Sequence, residues 1–160
     1  MTLSTGRARC LILACGNTLR EDDGVGPWLA VWAEERFAGE PRVRVIARQQ
    51  WTPELAQDVS EAESVIFVDC CLDAKPGAVT IASVESASSE KTGLATHHVG
   101  AAELLALSKD LYGAMPRSSL LLMVGACSLA LREGFSATVQ AALPGASAQL
   151  ETAVLRMLAS

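Results

Sequence analysis

The sequence predicts an α/β protein: a three-layer α/β/α sandwich around a mainly parallel, twisted sheet with one antiparallel or edge strand. Three observations support this prediction. Near-continuous apolar runs are typical of strands that are covered on both faces of a sheet. Segments with a helical spacing of apolar residues lie between these runs, and one further strand candidate alternates apolar and polar residues. The predicted order of elements is β-α-β-α-β-β-α-β-α.

Strands are predicted at four apolar segments and at one alternating segment. The apolar segments are Arg9–Cys15, Val43–Ala47, Ser64–Val68 and Leu120–Val124, and the second of these is the weakest. The alternating segment, Ala78–Ser83, follows the turn sequence Lys75-Pro76-Gly77. An antiparallel or edge position is therefore expected for Ala78–Ser83.

Helices are predicted between these strands, at Trp28–Ala38, Pro53–Glu61, Val99–Tyr112 and Ser136–Leu158. Pro27, directly after Gly26, suits the first position of a helix, and Thr52 is a candidate cap for the second helix. Pro144 is expected to kink or split the last helix. The long polar stretch Ser86–Thr96 is interpreted as a mobile surface loop.

Composition narrows the possible classes of function. The 160 residues fit a single domain, and we expect residues 1–160 to form one. There are 18 acidic and 13 basic residues, the net charge is −5 and no basic run occurs, so nucleic acid is not an expected partner. The apolar stretches are too short to span a bilayer, no signal-peptide pattern begins the chain, and five cysteines fit a reducing compartment. We expect a cytoplasmic protein with no membrane partner, and a monomeric state is compatible with the sequence.

Polar residues follow three of the predicted strands, where ligands bind in open α/β sheets. The segment Gly16–Gly26 is rich in glycine and acidic residues, Asp69 ends an apolar strand, and His97-His98 precedes a helix. These segments could bring two carboxylates and one imidazole to the same crevice. A dinucleotide-binding loop is not indicated, because the glycine spacing is not G-x-G-x-x-G and three acids would repel a pyrophosphate.

Each of these polar residues also has a structural interpretation. The acids Glu21–Asp23 could stabilise a helix N-terminus through the macrodipole, which suits the first two best and leaves Asp23 open to either role. Asp69 could be a capping or turn residue, although a carboxylate at the end of an apolar strand is costly unless paired, hydrogen-bonded or metal-bound. His97 and His98 are the only histidines, so any chemistry that needs an imidazole uses one of them.

The cysteines indicate packing more than chemistry. Cys10 and Cys15 belong to a core strand, Cys70 and Cys71 are adjacent, and Cys127 follows the last strand, where it could be partly exposed. No Cys₂His₂ or Cys₄ spacing for zinc and no G-x-S-x-G sequence occurs. A thiol hydrolase with Cys70 or Cys127 as its nucleophile is one alternative function.

A series of short motifs runs through nearly the whole chain in a fixed order. The series is Gly16-Asn17-x-Leu19-x-x-Asp22-Asp23-Gly24-x-Gly26, Gln50–Ala56, the strand ending in Asp69, Pro76-Gly77, His97-His98-x-Gly100, Tyr112-Gly113 and Val124-Gly125. It resembles the [NiFe]-hydrogenase maturation proteases. The chain departs from that family's pattern in having Ala14 at the first glycine of the usual G-x-G-N opening, and Arg48–Thr52 in place of D-G-G-T. The second departure bears on which hydrogenase is the client.

The resemblance implies an endopeptidase that removes a short C-terminal extension from the precursor of a hydrogenase large subunit, after nickel has been inserted. It implies that a carboxylate of the first loop, an aspartate at a strand end and a histidine contact the metal. By position these residues are Asp23, Asp69 and His97, which are also the expected catalytic residues. The nickel is expected to arrive with the precursor. A non-cleaving nickel-binding scaffold and a metallohydrolase with its own zinc are the further alternatives.

Substrate binding is expected of the loop residues that surround these acids. Glycine permits close approach of another chain, so an extended substrate tail could pass along the loop backbone. The expected substrate-binding residues are Gly16, Asn17, Asp22, Gly24 and Thr52.

Overall fold

The computed structural model describes residues 8–87 and 99–160. Its strands and helices follow the predicted order: β1 (Cys10–Cys15), α1 (Val25–Arg36), β2 (Val43–Arg48), α2 (Leu55–Ser60), β3 (Ser64–Cys71), β4 (Val79–Ser83), α3 (Ala101–Tyr112), β5 (Ser118–Gly125) and α4 (Ala137–Ala159). A short 3-10 turn at Glu21–Gly24, which the sequence analysis did not predict, leads into α1. His97, His98 and most of the predicted polar loop lie outside the described residues.

The five strands form one sheet in the order β2-β1-β3-β5-β4. β1 is parallel to β2 and β3, and β3 is parallel to β5. β4 pairs antiparallel with β5 at the edge of the sheet, as its alternating sequence predicts. The predicted mainly parallel sheet with one antiparallel edge strand is confirmed.

Helices cover both faces of the sheet, and this explains why the central strands are apolar throughout. In β1 the even-numbered residues pack in a core with α1 and α4, while the odd-numbered residues pack in a second core with α2 and α3. All six residues of β1 are buried. Successive side chains of a strand point to opposite faces, so a strand between two helical layers needs an apolar residue at every position.

The first helix begins earlier than predicted. α1 starts at Val25, so Gly26 and Pro27 both lie inside its first turn. A Cβ atom at Gly26 would lie 2.1 Å from the carbonyl oxygen of Cys15. The close contact between this turn and the end of β1 therefore requires glycine, and Pro27 fits because N–H groups of a first turn have no partner within the helix.

The second and fourth helices also differ from the prediction. α2 begins at Leu55 and has no side-chain cap, and the backbone carbonyl of Thr52 accepts a hydrogen bond from the Leu55 N–H at 3.1 Å. α4 is continuous through Pro144, so the predicted split does not occur. Pro144 lies on the exposed side of α4, where loss of one backbone hydrogen bond disturbs no packed core. None of the described helices has the length and apolar character that a membrane crossing requires.

Candidate functional site

The segment that follows β1 and the end of β3 meet at the carboxyl edge of the sheet. β1 lies between β2 and β3, so the chain leaves the ends of β1 and β3 in different directions, and a crevice opens at that point. A cavity of about 590 Å³ fills this crevice. The cavity walls include Gly16 and Asp23 from the first segment and Asp69 and Cys70 from β3.

Asp23 is half-buried, and both of its carboxylate oxygens have partners. The backbone N–H of Asn17 donates to Oδ2 at 2.7 Å, and the thiol of Cys70 donates to Oδ1 at 3.1 Å. The loop returns to this position because Gly16 has φ +149°, and a Cβ atom there would lie 2.0 Å from the carbonyl oxygen of Asp23. The close neighbour of Gly16 is thus the chain's own backbone, which fixes the position of Asp23.

Asp69 occupies the last part of β3, where the strand leaves the core. Its Oδ1 accepts the backbone N–H of Cys70 at 2.8 Å. Burial raises the pKa of Asp69, and the charge of Asp23 raises it as well. Hydrogen bonds from the Cys15 thiol and the Cys70 N–H lower it, but the net shift is upward. A cation in this cavity would therefore stabilise the charged form of Asp69.

Two carboxylates and one thiol converge in the cavity. One ligand atom from each of Asp23, Asp69 and Cys70 lies within 4.8 Å of the other two. Within residues 8–87 and 99–160 this is the one group of three such side chains close enough to share an ion. Oxygen and sulfur ligands together suit a divalent first-row transition metal, so this part of the site fits nickel chemically.

The predicted site residues divide into three sets. Gly16, Asn17, Asp23 and Asp69 line the cavity together. Asp22, Gly24 and Thr52 are not among its lining residues. His97 lies outside the described residues, whereas Val99 and Gly100, which follow it, line the cavity.

Asp22 is fully buried and anchors the loop that follows β5. Its Oδ2 accepts the N–H groups of Cys127 at 2.8 Å and Ser128 at 2.9 Å and the hydroxyl of Ser136 at 2.8 Å. Its Oδ1 accepts the N–H of Ser136 at 2.8 Å. Burial alone would raise the pKa of Asp22, but these hydrogen bonds outweigh it and lower the pKa. Asp22 thereby fixes the backbone from which Asp23 reaches the cavity.

Glu21 likewise binds the loop after β5. It is buried and forms an ion pair with Arg132, while its backbone has φ +45°. Neither Glu21 nor Asp22 caps α1, which has no side-chain cap. Both acids lie in the 3-10 turn directly before α1, and their side chains bind a distant loop through hydrogen bonds and an ion pair.

Comparison with known proteins assigns the family. The family model for HycI, hydrogenase maturation protease, matches residues 33–153. The chain belongs to the hydrogenase maturation protease family. No curated protein sequence gives a significant match.

Solved structures of hydrogenase maturation proteases are similar over nearly the whole chain. The hydrogenase maturating endopeptidase HybD from Escherichia coli is 23% identical with a TM-score of 0.73, and the similarity covers 92% of this chain and 93% of HybD. A hydrogenase 2 maturation peptidase from a Thaumarchaeota archaeon is 27% identical with a TM-score of 0.64, covering 91% and 97%. The maturation protease HycI from Thermococcus kodakarensis is 20% identical with a TM-score of 0.62, covering 98% and 96%.

Membership of this family defines the general activity. The hydrogenase maturation protease described here is a peptidase that processes the C-terminus of its substrate, and its family acts on hydrogenase large-subunit precursors. The resemblance found in the sequence motifs is thereby confirmed.

Several cavity residues of this maturation protease were not singled out from the sequence. Arg20 and Leu129 line the cavity, as does Trp51, whose indole N–H is buried without a hydrogen-bond partner among the described residues. Cys70 was considered as a packing residue or as a nucleophile, and not as a metal ligand. The available signal was position: Arg20 lies in the segment after β1, Trp51 follows β2, and Cys70 directly follows Asp69.

Proposed function

We propose that this maturation protease recognises the nickel ion carried by its precursor substrate through Asp23, Asp69 and His97, and that this contact places the scissile peptide bond in the cavity. The observation that supports the proposal is the convergence of Asp23 and Asp69. Their carboxylates come from segments 46 residues apart in the sequence (69 minus 23), yet both line one cavity and offer ligand atoms within 4.8 Å of each other.

His97 completes the proposed set as the nitrogen ligand. Val99, two residues later in the sequence, lines the cavity, and its N–H contacts the carbonyl of Trp51 at 3.4 Å. The chain therefore reaches the cavity wall immediately after the histidine pair. Two carboxylates and one imidazole would leave coordination positions for ligands of the precursor, as a transiently contacted ion requires.

The chain's residues act in this proposal by binding and orienting the substrate. Carboxylate and imidazole ligands bind copper more tightly than nickel, so these ligands alone do not select nickel. Selection follows if the ion arrives already held by the precursor and the protease only tests its position. Cleavage is then coupled to correct assembly of the metal centre. Water is the proposed nucleophile, and the carboxylates in the cavity are the available bases.

The surroundings of Cys70 do not favour the alternative of a thiol nucleophile. Burial raises the pKa of Cys70, and its hydrogen bond to Asp23 and the charges of Asp23 and Asp69 raise it further. Reactive cysteines are found beside positive groups, which stabilise the thiolate. Two acids instead keep this thiol protonated.

The test is processing of a nickel-loaded large-subunit precursor, followed by mass spectrometry. We expect the wild type to yield a shortened product, and Asp69→Asn and His97→Ala to slow processing at least about 100-fold, since misplacing a reacting group by 1 Å has that effect. Asp73→Asn, at an exposed position just after β3, removes the same charge outside the cavity and should process normally.

Three results would contradict the proposal. Normal processing by Asp69→Asn or His97→Ala would exclude that residue from the site. A variant His98→Ala that is inactive while His97→Ala is active would exchange the two histidines. An intact precursor after incubation with the wild type would support a non-cleaving scaffold.

A further inference from the structure

The thiol of Cys70 lies inside the proposed ion-contact site and not at its margin. Its Sγ is 3.1 Å from Oδ1 of Asp23, and its backbone N–H donates to Asp69 at 2.8 Å. Cys70 is therefore in contact with both carboxylates of the cavity. A thiol in this position is close enough to bind an ion that the two carboxylates share.

The distance between Cys70 and Asp23 suits two ligands of one ion. Oxygen and sulfur ligands lie about 2.0–2.3 Å from a first-row divalent ion, so two neighbouring ligands are about 3.0–3.7 Å apart at angles of 90–110°. The separation of 3.1 Å between Sγ of Cys70 and Oδ1 of Asp23 falls in that interval. Asp69 offers an oxygen within 4.8 Å of both atoms.

We infer that Cys70 is a metal ligand, and that its sulfur binds a divalent transition-metal ion together with Asp23 and Asp69. The inference deepens the proposed function, on which it rests for the presence of nickel in this cavity. When the ion binds, a bond forms between sulfur and metal and the S–H bond breaks. The thiol proton passes to solvent and no electron is transferred.

The other cysteines do not share this position. Cys15 is buried and its thiol hydrogen-bonds Asp69, but it is not part of the group that could share an ion. Cys71 follows Cys70 in β3 and is not part of the group that could share an ion. Cys127 is exposed after β5. Cys71 and Cys127 therefore each provide a control with one cysteine removed.

A sulfur ligand changes the metal preference of the site. Thiolates favour soft ions, whereas carboxylates suit manganese and magnesium. The inference predicts that removal of the sulfur weakens Ni²⁺ and Cd²⁺ binding much more than Mn²⁺ binding. A purely structural role for Cys70 would weaken binding of all three ions together.

The experiment titrates the reduced full-length protein with Ni²⁺ alone and follows sulfur-to-nickel charge-transfer absorption in the near ultraviolet. We expect the absorption in the wild type, in Cys71→Ser and in Cys127→Ser, and its loss in Cys70→Ser. Ni²⁺ affinity should fall at least about tenfold in Cys70→Ser, because loss of a mere supporting partner already costs 10–100-fold. Mn²⁺ affinity should change by less than about threefold. Circular dichroism checks the fold, and Cys70→Ala is the second variant.

The outcomes separate this inference from the proposed function. Absorption that is missing in the wild type, that persists in Cys70→Ser, or that disappears in Cys71→Ser or Cys127→Ser would overturn the role of Cys70. Precursor processing that is unaffected by Asp69→Asn would overturn the proposed function, while a Cys70-dependent absorption would still establish the sulfur ligand.

Discussion

Replacement of Asp22 by asparagine is expected to destabilise the fold by about 2–4 kcal/mol, although it preserves the shape of the side chain. Asp22 is fully buried and accepts four hydrogen bonds from the loop after β5, three at Oδ2 and one at Oδ1. An asparagine can direct its oxygen toward the three donors. Its amide NH₂ then faces the N–H of Ser136, and two donors oppose each other.

The magnitude follows from these four bonds. An N–H of Ser136 left without an acceptor costs about 1–3 kcal/mol. Each of the three remaining hydrogen bonds changes from charged to neutral and loses about 1 kcal/mol. Burying a neutral amide costs less than burying a carboxylate, which offsets part of this sum. The net effect is a large share of the total stability of a domain, about 5–15 kcal/mol.

Urea unfolding followed by circular dichroism measures the effect. With a denaturant slope of about 2 kcal/mol per molar, the midpoint should fall by about 1–2 M. The free energy of unfolding of the control Asp73→Asn, at an exposed residue, should lie within about 0.5 kcal/mol of that of the wild type. Because Asp23 follows Asp22 directly, precursor processing should also slow in Asp22→Asn. A midpoint equal to that of the control would show that the four hydrogen bonds do not hold this loop.

Three further predictions test the fold. Gly26→Ala should destabilise the protein by at least about 2 kcal/mol in urea unfolding, because its Cβ would lie 2.1 Å from a carbonyl oxygen of β1. The control Gly39→Ala, whose Cβ would have nothing within 4 Å, should change stability by less than about 0.5 kcal/mol. Equal effects of the two substitutions would contradict the close packing of Gly26 against β1. Burial raises the pKa of Cys10 to about 12, so few of its thiols are ionised at about pH 8, and alkylation followed by mass spectrometry should label exposed Cys127 long before Cys10. Pro144→Ala should restore a hydrogen bond in α4 and raise the free energy of unfolding by about 1–3 kcal/mol, which thermal unfolding would show as a higher midpoint. An unchanged midpoint would show that the helix is already relaxed around the proline.

The fold could be predicted because the buried strands correspond to apolar runs in the sequence. β1 and β5 are apolar at nearly every position, whereas β4 alternates, and this difference separates central strands from an edge strand. Helix ends were predicted less well. The start of α1 depends on contact of Gly26 with the end of β1, which is a tertiary contact that local sequence does not reveal.

The candidate site could be predicted in part. Asp23 lies in the segment after β1 and Asp69 lies near the end of β3, and the general rule for ligand binding in α/β sheets was enough to place them together. Asp22 has the same chemistry and the adjacent position, but its partners lie more than 100 residues later, at Cys127, Ser128 and Ser136. No pattern near Asp22 indicates those partners, so its burial could not be foreseen from the sequence.

The two edge strands of the sheet, β2 and β4, determine whether another polypeptide can pair with it. At one rim β2 carries the exposed Arg44, which pairs with Asp58 at 2.8 Å, and at the other rim β4 is only five residues long. Charged side chains and short outer strands discourage a foreign strand from extending a sheet by backbone hydrogen bonding. Both edges of this sheet therefore disfavour pairing with a strand of another chain.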